Sequence, residues 1–155
     1  MSEVALFDPI TIKSKVFRSR IVLSPMCEYK AVDGLVSDWH FQHYSRFAFS
    51  GLGAAFIEAT GVSPEGRIGH GCTGIWGDEH IQGLSKIVKV FKEYNCVSGI
   101  QLAHAGRKAS FLRPWDGASP ITKDDSDEPA WQTIGPSAIP INDSSPIPKE
   151  MTIED

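Results

Sequence analysis

Gly53-Ala54-Ala55-Phe56-Ile57-Glu58-Ala59 is the stretch of sequence that decides the fold. It is apolar up to Glu58 and lacks the alternation of polar and apolar residues that marks a strand with one face in water. Such a run is typical of a strand buried on both faces of a parallel sheet. Two further runs have the same character: Ile21-Val22-Leu23, which ends at Ser24-Pro25, and Val97-Ser98-Gly99-Ile100-Gln101-Leu102-Ala103-His104.

Segments with helical periodicity separate these three runs. Residues 40–50 lie between the first two runs, and residues 79–94 lie between the second and the third. The apolar residues on one helical face are Phe41, Tyr44, Phe47 and Ala48 in the first segment, and Ile81, Leu84, Ile87, Val88 and Phe91 in the second. The order βαβαβ implies right-handed crossovers and predicts an α/β layer or barrel.

The spacing of the strands favours a barrel. They begin near residues 21, 54 and 97, and eight units of this size require on the order of 250 residues. Ahead of them, residues 7–12 and 16–20, joined by Lys13-Ser14-Lys15, predict a hairpin that closes the N-terminal end of the barrel. We therefore predict that residues 1–155 form the N-terminal part of a single (β/α)8 TIM-barrel domain, with the first three strands, truncated at the C-terminus.

The sequence changes character after Arg113. Seven of the ten prolines lie between there and Glu150, and acidic residues cluster at 123–128. No helical or strand period continues, so we expect a long loop after the third strand, where barrel enzymes often carry function. At the end of the chain, Thr152 is placed to cap a helix with Asp155 at its third position. We therefore expect the chain to break off where a helix begins.

The composition argues against several classes of protein. The net charge is −4 with acids and bases interspersed, which leaves no basic surface for nucleic acid or an anionic membrane. No apolar run approaches the roughly 20 residues that cross a bilayer, and the N-terminal residues lack the positive region of a secretory signal. The three cysteines are widely spaced and fit neither a disulfide framework nor a zinc ribbon. We predict a cytoplasmic protein without nucleic-acid or membrane partners.

Polar clusters follow all three predicted strands. They are Ser24 to Tyr29 after the first strand, Glu58 to Thr60 after the second, and Gln101 with His104 to Lys108 at the third. Barrel enzymes build their sites from the loops at the carboxyl ends of the strands. We therefore expect an active site at this rim.

The sequence resembles a known family through motifs that cover nearly the whole chain in order. The matching stretches are Leu6-Phe7-Asp8-Pro9, Arg20 to Tyr29, Asp38-Trp39-His40, Ile57-Glu58-Ala59-Thr60, Pro64 to Ile68, Gly74-Ile75-Trp76 with Asp78, Gly99 to Ala109, Pro136 to Ile139 and Glu150-Met151-Thr152. The family that these stretches resemble is the old yellow enzymes, which are FMN-dependent ene-reductases, and the likeness is to the branch that includes xenobiotic reductase.

The resemblance implies roles for individual residues. Ser24, Pro25, Met26 and Cys27 are expected to lie against the isoalloxazine ring, with the Cys27 thiol at the flavin O4/N5 edge. Ala59 is the small residue that lets the backbone approach the flavin, and Gln101 pairs with the pyrimidine edge, since a carboxamide both donates and accepts. Tyr29 is expected to orient the substrate. The catalytic residues expected here are thus Cys27 and Tyr29.

The resemblance also implies a reaction. In the family, NADPH (or NADH) reduces FMN, and the reduced flavin passes a hydride to an alkene activated by a carbonyl or nitro group. The pair that holds the substrate oxygen and the tyrosine that donates the proton have no counterpart in these 155 residues. We therefore expect the chain alone to bind FMN poorly and to reduce no enone. A homo-oligomer is possible for a full-length enzyme.

Structural interpretations compete with these roles. Cys27 could be an inert buried thiol, Gln101 a strand-end amide satisfied by backbone, and Tyr29 a packing residue. For His104, Arg107 and Lys108 we prefer a structural role in holding the third loop. His40 and His43 have the spacing of a helical metal-binding pair, but without further ligands a packing and helix-start role is preferred.

Two other functions remain open at this point. One is a short, non-catalytic barrel segment that pairs with another chain, and the other is a metal-dependent hydrolase on a similar barrel. Flavin gained only with a partner would indicate the first, and bound zinc without flavin the second.

Overall fold

A computed structural model of the chain describes residues 5–122 and 128–155. Residues 1–4 and 123–127, which include the start of the N-terminal segment and most of the acidic cluster, lie outside the described residues. The described elements in chain order are β1 Ile10–Ile12, β2 Lys15–Phe17, β3 Val22–Leu23, α1 Asp38–Phe49, β4 Ala54–Gly61, β5 Thr73–Gly74, α2 Glu79–Glu93, β6 Val97–Ala103, β7 Ile134–Gly135 and β8 Lys149–Glu150, with short 3-10 helices at Gly106–Lys108 and Pro114–Asp116.

The main sheet has four parallel strands arranged around β4. Strand β6 pairs with β4 along its whole length, from Ala54 with Val97 to Gly61 with Ala103. Strand β3 pairs with the start of β4 and strand β5 with its end. Because β6 occupies one edge of β4, β3 and β5 share the other edge. The predicted βαβαβ order and parallel sheet are confirmed.

The hydrophobic core lies between this sheet and the two helices. Ile57 and Ile100 are partners in the sheet and face the helices. The rings of Tyr44 on α1 and Phe91 on α2 meet edge-on with centroids 6.1 Å apart, and both side chains are buried. Right-handed crossovers place both helices on the same face, so the core has one side of sheet and one side of helix. We expected β4 to be buried on both faces. On the face away from the helices, however, Phe56 is 38% exposed, so the described part of the chain does not cover this face of the strand.

The N-terminal hairpin forms as predicted but is shorter. Strands β1 and β2 pair antiparallel, from Ile10 with Phe17 to Ile12 with Lys15, so Lys15 belongs to a strand and not to the turn. Lys13 turns the chain in a left-handed conformation with φ of 53°. The segment after the hairpin approaches Gly53 so closely that a Cβ there would lie 2.0 Å from the carbonyl oxygen of Ser19. The start of β4 therefore needs glycine.

Some boundaries differ from the predictions. Strand β4 continues to Gly61, so residues 58–60 lie within the strand and not after it, because the ladders to β5 and β6 extend that far. Strand β5 was not predicted, since two residues are too few to show a period. The loop after Arg113 is long, as expected, but it is not structureless, because β7 and β8 form a parallel pair within it.

The last residues form a turn held by the expected capping contacts. The Asp155 carboxylate accepts hydrogen bonds from the Thr152 backbone N–H at 2.9 Å and from its hydroxyl at 3.1 Å. The described part of the chain shows a turn at this position and no helix. Among the described residues, no helix is long and apolar enough to cross a membrane.

Arg18 ties the hairpin to the end of α1, and its removal gives a first testable prediction. Its guanidinium donates to the carbonyls of Leu52 at 2.8 Å and Ala48 at 2.7 Å. Arg18→Ala is expected to lower the free energy of unfolding by about 1–2 kcal/mol, since two charge-assisted bonds are lost. Urea denaturation measures this change. Arg20→Ala, at an exposed position, is the matched control, and equal losses in both variants would contradict the prediction.

Candidate functional site

A β-bulge in β4 organises the candidate site. Ile57 pairs with Ile100 and Ala59 pairs with Gln101, so Glu58 is an extra residue between two regular pairs. Partners in a parallel ladder lie side by side on one face, so Ala59 and Gln101 share the face opposite Ile57 and Ile100. The Gln101 side chain is exposed and makes no hydrogen bond within the described part of the chain. Its interpretation as an amide satisfied by backbone is therefore not supported.

The segment after β3 runs along the uncovered stretch of β4 between β3 and β5. The backbone of Ala59 lies close enough to the Cys27 thiol to oppose the rise in its pKa, and the backbone N–H of Glu28 donates to the buried Glu58 carboxylate at 2.9 Å. These two contacts bring Cys27 to the rim beside Ala59 and Gln101. The structure thus gathers Cys27, Ala59 and Gln101 as the sequence predicts.

The three residues before Cys27 are placed at the same rim by the chain path. Ser24 is exposed, Pro25 is half-buried, and Met26 is 51% exposed. Their side chains make no hydrogen bond, ion pair or ring contact within residues 5–122 and 128–155. Their predicted contact with a flavin remains a prediction.

Tyr29 is fixed in an uncommon conformation beside the thiol. Its φ of 52° lies in the left-handed region. Its ring meets the Trp115 ring edge-on, with the centroids 5.8 Å apart, and the Cys27 thiol lies near its hydroxyl. Burial, followed by the neighbouring thiols of Cys27 and Cys72, raises the pKa of Tyr29 to about 12. The hydroxyl is therefore protonated at neutral pH and can donate a hydrogen bond.

A second thiol, Cys72, lies against Cys27 and was missed by the sequence analysis. The hydrogen bond with Cys27 lowers the pKa of Cys72 to about 7 against the effect of burial. The same hydrogen bond, together with burial, raises the pKa of Cys27 well above its ordinary value. The two cysteines are 45 positions apart (72 minus 27), so no sequence period connects them. The sequence carries no signal for their proximity, because the short strand β5 that follows Cys72 is itself determined by pairing with β4.

Buried polar residues on β4 and α1 hold the segment that carries Cys27. Glu58 and His40 are both fully buried, with His40 Nε2 3.3 Å from Glu58 Oε1. His40 Nδ1 accepts the backbone N–H of Ser37 at the start of α1, so a neutral ring carries its hydrogen on Nε2, facing Glu58. The Glu58 backbone N–H is bonded to the Tyr44 hydroxyl at 2.8 Å. The predicted helix-start role of His40 is confirmed.

The neighbouring Glu28 fastens the same segment to the outside of α1. Its carboxylate accepts from Trp39 Nε1 at 3.0 Å and lies 3.2 Å from His43 Nε2. Burial lowers the pKa of His43 even though Glu28 opposes this. The His43 ring packs edge-on against the rings of Tyr44 and Phe47 on α1. Within the described ranges, no group of three or more His, Cys, Asp or Glu side chains is placed to hold a metal ion.

The residues after β6 hold the third loop, as preferred from the sequence. His104 Nδ1 accepts the backbone N–H of Gly106 at 3.1 Å. Arg107 reaches the carbonyl of Ile139 at 3.5 Å, and Lys108 ends the short 3-10 helix. The side chains of His104 and Arg107 thus serve the loop's own structure.

The strand order defines the class of this chain: a parallel βα sheet of the kind found in βα barrels, with the candidate residues at the carboxyl ends of its strands. The chain belongs to the NADH:flavin oxidoreductase / NADH oxidase family, whose model matches residues 5–155. The predicted family is thus confirmed.

Curated relatives of this chain are NADPH dehydrogenases. The chain is 45% identical over 152 residues to that of Geobacillus thermodenitrificans, covering 97% of this chain and 39% of the relative. It is 40% identical over 151 residues to that of Bacillus subtilis, covering 96% and 39%. The chain thus spans about two fifths of the length of these relatives.

Solved structures of similar fold include old yellow enzymes. Morphinone reductase superposes with a TM-score of 0.76 at 21% identity, covering 97% of this chain and 40% of that one. The old yellow enzyme homologue from Zymomonas mobilis superposes with a TM-score of 0.74 at 21% identity, covering 97% and 40%. The predicted fold, the N-terminal part of a TIM barrel, is confirmed by these neighbours.

Proposed function

We propose that this chain contributes the first flavin-binding strands of an FMN-dependent NADPH oxidoreductase that reduces the C=C bond of alkenes activated by a carbonyl or nitro group. The observation that carries the proposal is the meeting of Cys27, Ala59 and Gln101 at one rim, where Gln101 leaves its carboxamide without a partner in the described residues. The membership of the chain in a flavin oxidoreductase family supports it.

The donor set of the rim fits a flavin. The Gln101 carboxamide can donate to a carbonyl oxygen and accept from the adjacent N–H, as the edge of a pyrimidine ring requires. Ala59 adds only a methyl group beside it, so a flat ring can approach the strand. The Cys27 thiol is a weak donor next to both. Bound FMN supplies the hydride transfer between nicotinamide and alkene.

Tyr29 is the proposed substrate-orienting residue. A tyrosine hydroxyl is protonated at neutral pH, and the raised pKa of about 12 extends this to more alkaline pH. A protonated hydroxyl can donate to a carbonyl or nitro oxygen and hold the alkene in place. The edge-on contact with Trp115 positions the ring before a substrate arrives.

A chimera tests the proposal, because the chain spans only 39% of its relative. The chain replaces the matching 152-residue segment of the Geobacillus thermodenitrificans NADPH dehydrogenase. We expect the chimera to purify with bound FMN and to oxidise NADPH when 2-cyclohexenone is added. A folded chimera that holds no flavin, or that holds flavin but reduces no activated alkene, would refute the proposed function.

Gln101→Leu in this chimera is expected to raise the dissociation constant for FMN about 10- to 100-fold. The substitution preserves the volume of the side chain and leaves the pyrimidine edge unpaired, which costs about 1–3 kcal/mol. Flavin fluorescence during titration measures the constant. Gln82→Leu, at an exposed position on α2, is the control and is expected to leave it unchanged. Equal dissociation constants for the parent chimera, Gln101→Leu and Gln82→Leu would show that Gln101 does not bind FMN.

A further inference from the structure

Two exposed tryptophan rings lie next to the ammonium group of Lys30. The Lys30 Nζ lies over the Trp39 ring, 5.5 Å from its centroid, and over the Trp115 ring, 5.6 Å from its centroid. Both distances are within the roughly 6 Å at which a cation is attracted to an aromatic face. Trp39 is 51% exposed and Trp115 is 60% exposed. We call these three side chains the Lys30 cluster.

The Lys30 cluster adjoins Tyr29, the proposed substrate-orienting residue. The rings of Tyr29 and Trp115 meet edge-on with their centroids 5.8 Å apart. Tyr29 and Lys30 are consecutive, and in an extended chain consecutive side chains point in opposite directions. The left-handed φ of 52° at Tyr29 interrupts this alternation, and both side chains lie beside the same indole. The ammonium is thus one indole ring away from the ring of Tyr29.

Separate contacts hold the two tryptophans of the cluster. The Trp39 Nε1–H donates to the Glu28 carboxylate at 3.0 Å. Shortly before Trp115, the Arg113 guanidinium donates to both oxygens of the Glu128 carboxylate, at 2.8 and 2.7 Å. A bidentate pair of this kind is directional and holds the loop that carries Trp115. The cluster is therefore assembled before a ligand binds.

The Lys30 ammonium is available to a negatively charged group. The Lys30 side chain is exposed, and its ammonium makes no ion pair with the residues that the structure describes. The Glu28 carboxylate, two residues earlier in the chain, is engaged with Trp39 and lies 3.2 Å from His43 Nε2. An ammonium that no carboxylate neutralises attracts an anion, and the indole faces beside it suit a planar ring.

We propose that the Lys30 cluster is a subsite for a planar ligand group that carries a negative charge, with the charge at the Lys30 ammonium and the ring against Trp39 or Trp115. The role of the subsite rests on the proposed function, because two ligands of such an enzyme have this chemistry. One is an activated alkene attached to a benzoate ring, and the other is the adenine of NADPH with its 2′-phosphate. The subsite selects among alkenes in the first case and NADPH over NADH in the second.

The indole N–H signals in the NMR spectrum of the nitrogen-15-labelled, 155-residue chain test the subsite without flavin. Trp39 and Trp115 report on the cluster, while Trp76 and Trp131, which lie next to Arg67, are internal references. The chain is titrated with benzoate and with adenosine 2′-phosphate, each compared with a neutral counterpart, benzamide or adenosine. We expect saturable shifts at Trp39 and Trp115, with a dissociation constant about fivefold lower for at least one anion than for its counterpart.

Variants of the chain assign the preference to the ammonium. Lys30→Met keeps the length of the side chain and removes its charge, so it is expected to abolish the preference for the charged probe. Lys30→Arg keeps a positive charge and is expected to retain the preference. Lys89→Met, at an exposed position on α2, is the matched control and is also expected to retain it.

The outcomes separate the two sources of the charge. Preference for benzoate alone indicates the substrate, and preference for adenosine 2′-phosphate alone indicates the nucleotide; either result supports the subsite. Absence of shifts, equal shifts at all four tryptophans, equal binding of charged and neutral probes, or a preference that survives in Lys30→Met would overturn the proposal. No flavin takes part, so a chimera that reduces no alkene contradicts the proposed function and leaves this result unchanged.

Discussion

Glu58→Ala is expected to lower the free energy of unfolding by about 3–5 kcal/mol. The carboxylate is fully buried and lies 3.3 Å from the equally buried His40. It also accepts the backbone N–H of Glu28 at 2.9 Å. Removing it deprives the Glu28 N–H of its acceptor and takes away the carboxylate beside His40 Nε2, an atom with no hydrogen bond among the described residues. Buried polar groups are costly when unpaired.

Urea denaturation followed by tryptophan fluorescence measures the effect. Glu93→Ala, at an exposed position near the end of α2, is the control and is expected to change the stability by less than about 0.5 kcal/mol. Glu58→Gln keeps the volume and an acceptor, so its loss is expected to be smaller than that of the alanine variant. A Glu58→Ala protein as stable as the Glu93→Ala control would show that the buried pair is not an anchor.

Phe91→Ala is expected to cost about 3–5 kcal/mol, the usual range for deleting a large side chain from a core. Phe91 is 0% exposed and meets Tyr44 edge-on across the gap between the two helices. Its backbone carbonyl also accepts the N–H of Cys96, where the chain turns toward β6. The substitution leaves a cavity at the centre of the helix pair, and the surrounding helices cannot close it.

The matched control for this change is Phe7→Ala. Phe7 is 74% exposed, so the same deletion there removes little contact area, and a change below about 0.5 kcal/mol is expected. Thermal unfolding monitored by circular dichroism compares both variants with the parent chain. Similar melting temperatures for Phe91→Ala and Phe7→Ala would contradict the assignment of the core.

The helices and long strands could be predicted from the sequence because their signal is repeated many times. Residues 79–94 show a helical period over four turns, and α2 is found at Glu79–Glu93. Strand β6 is long and apolar, and it is found at Val97–Ala103. The two-residue strands β5, β7 and β8 are determined by pairing partners distant in the sequence, and no local pattern reveals such pairs.

The candidate site was predicted in part. The residues that the family motifs contain, Cys27, Ala59 and Gln101, are brought together. Cys72 and the anchoring role of Glu58 were missed, because both depend on tertiary contact. The sequence analysis placed Glu58 in a polar cluster after the second strand, at the expected active-site rim. In the structure it is the extra residue of a bulge, and its carboxylate is turned into the interior.

Because of the bulge, the consecutive residues Glu58 and Ala59 of β4 have different roles. In a regular strand, an added residue would shift every later side chain to the opposite face. Here the additional residue is absorbed locally, so the pairing of Ala59 with Gln101 is the same as it would be without it. Glu58 therefore holds the neighbouring loop from inside the protein, while the next residue, Ala59, stays in register with Gln101 at the candidate site. One strand thus separates the residue that anchors a loop from the residue that faces the rim.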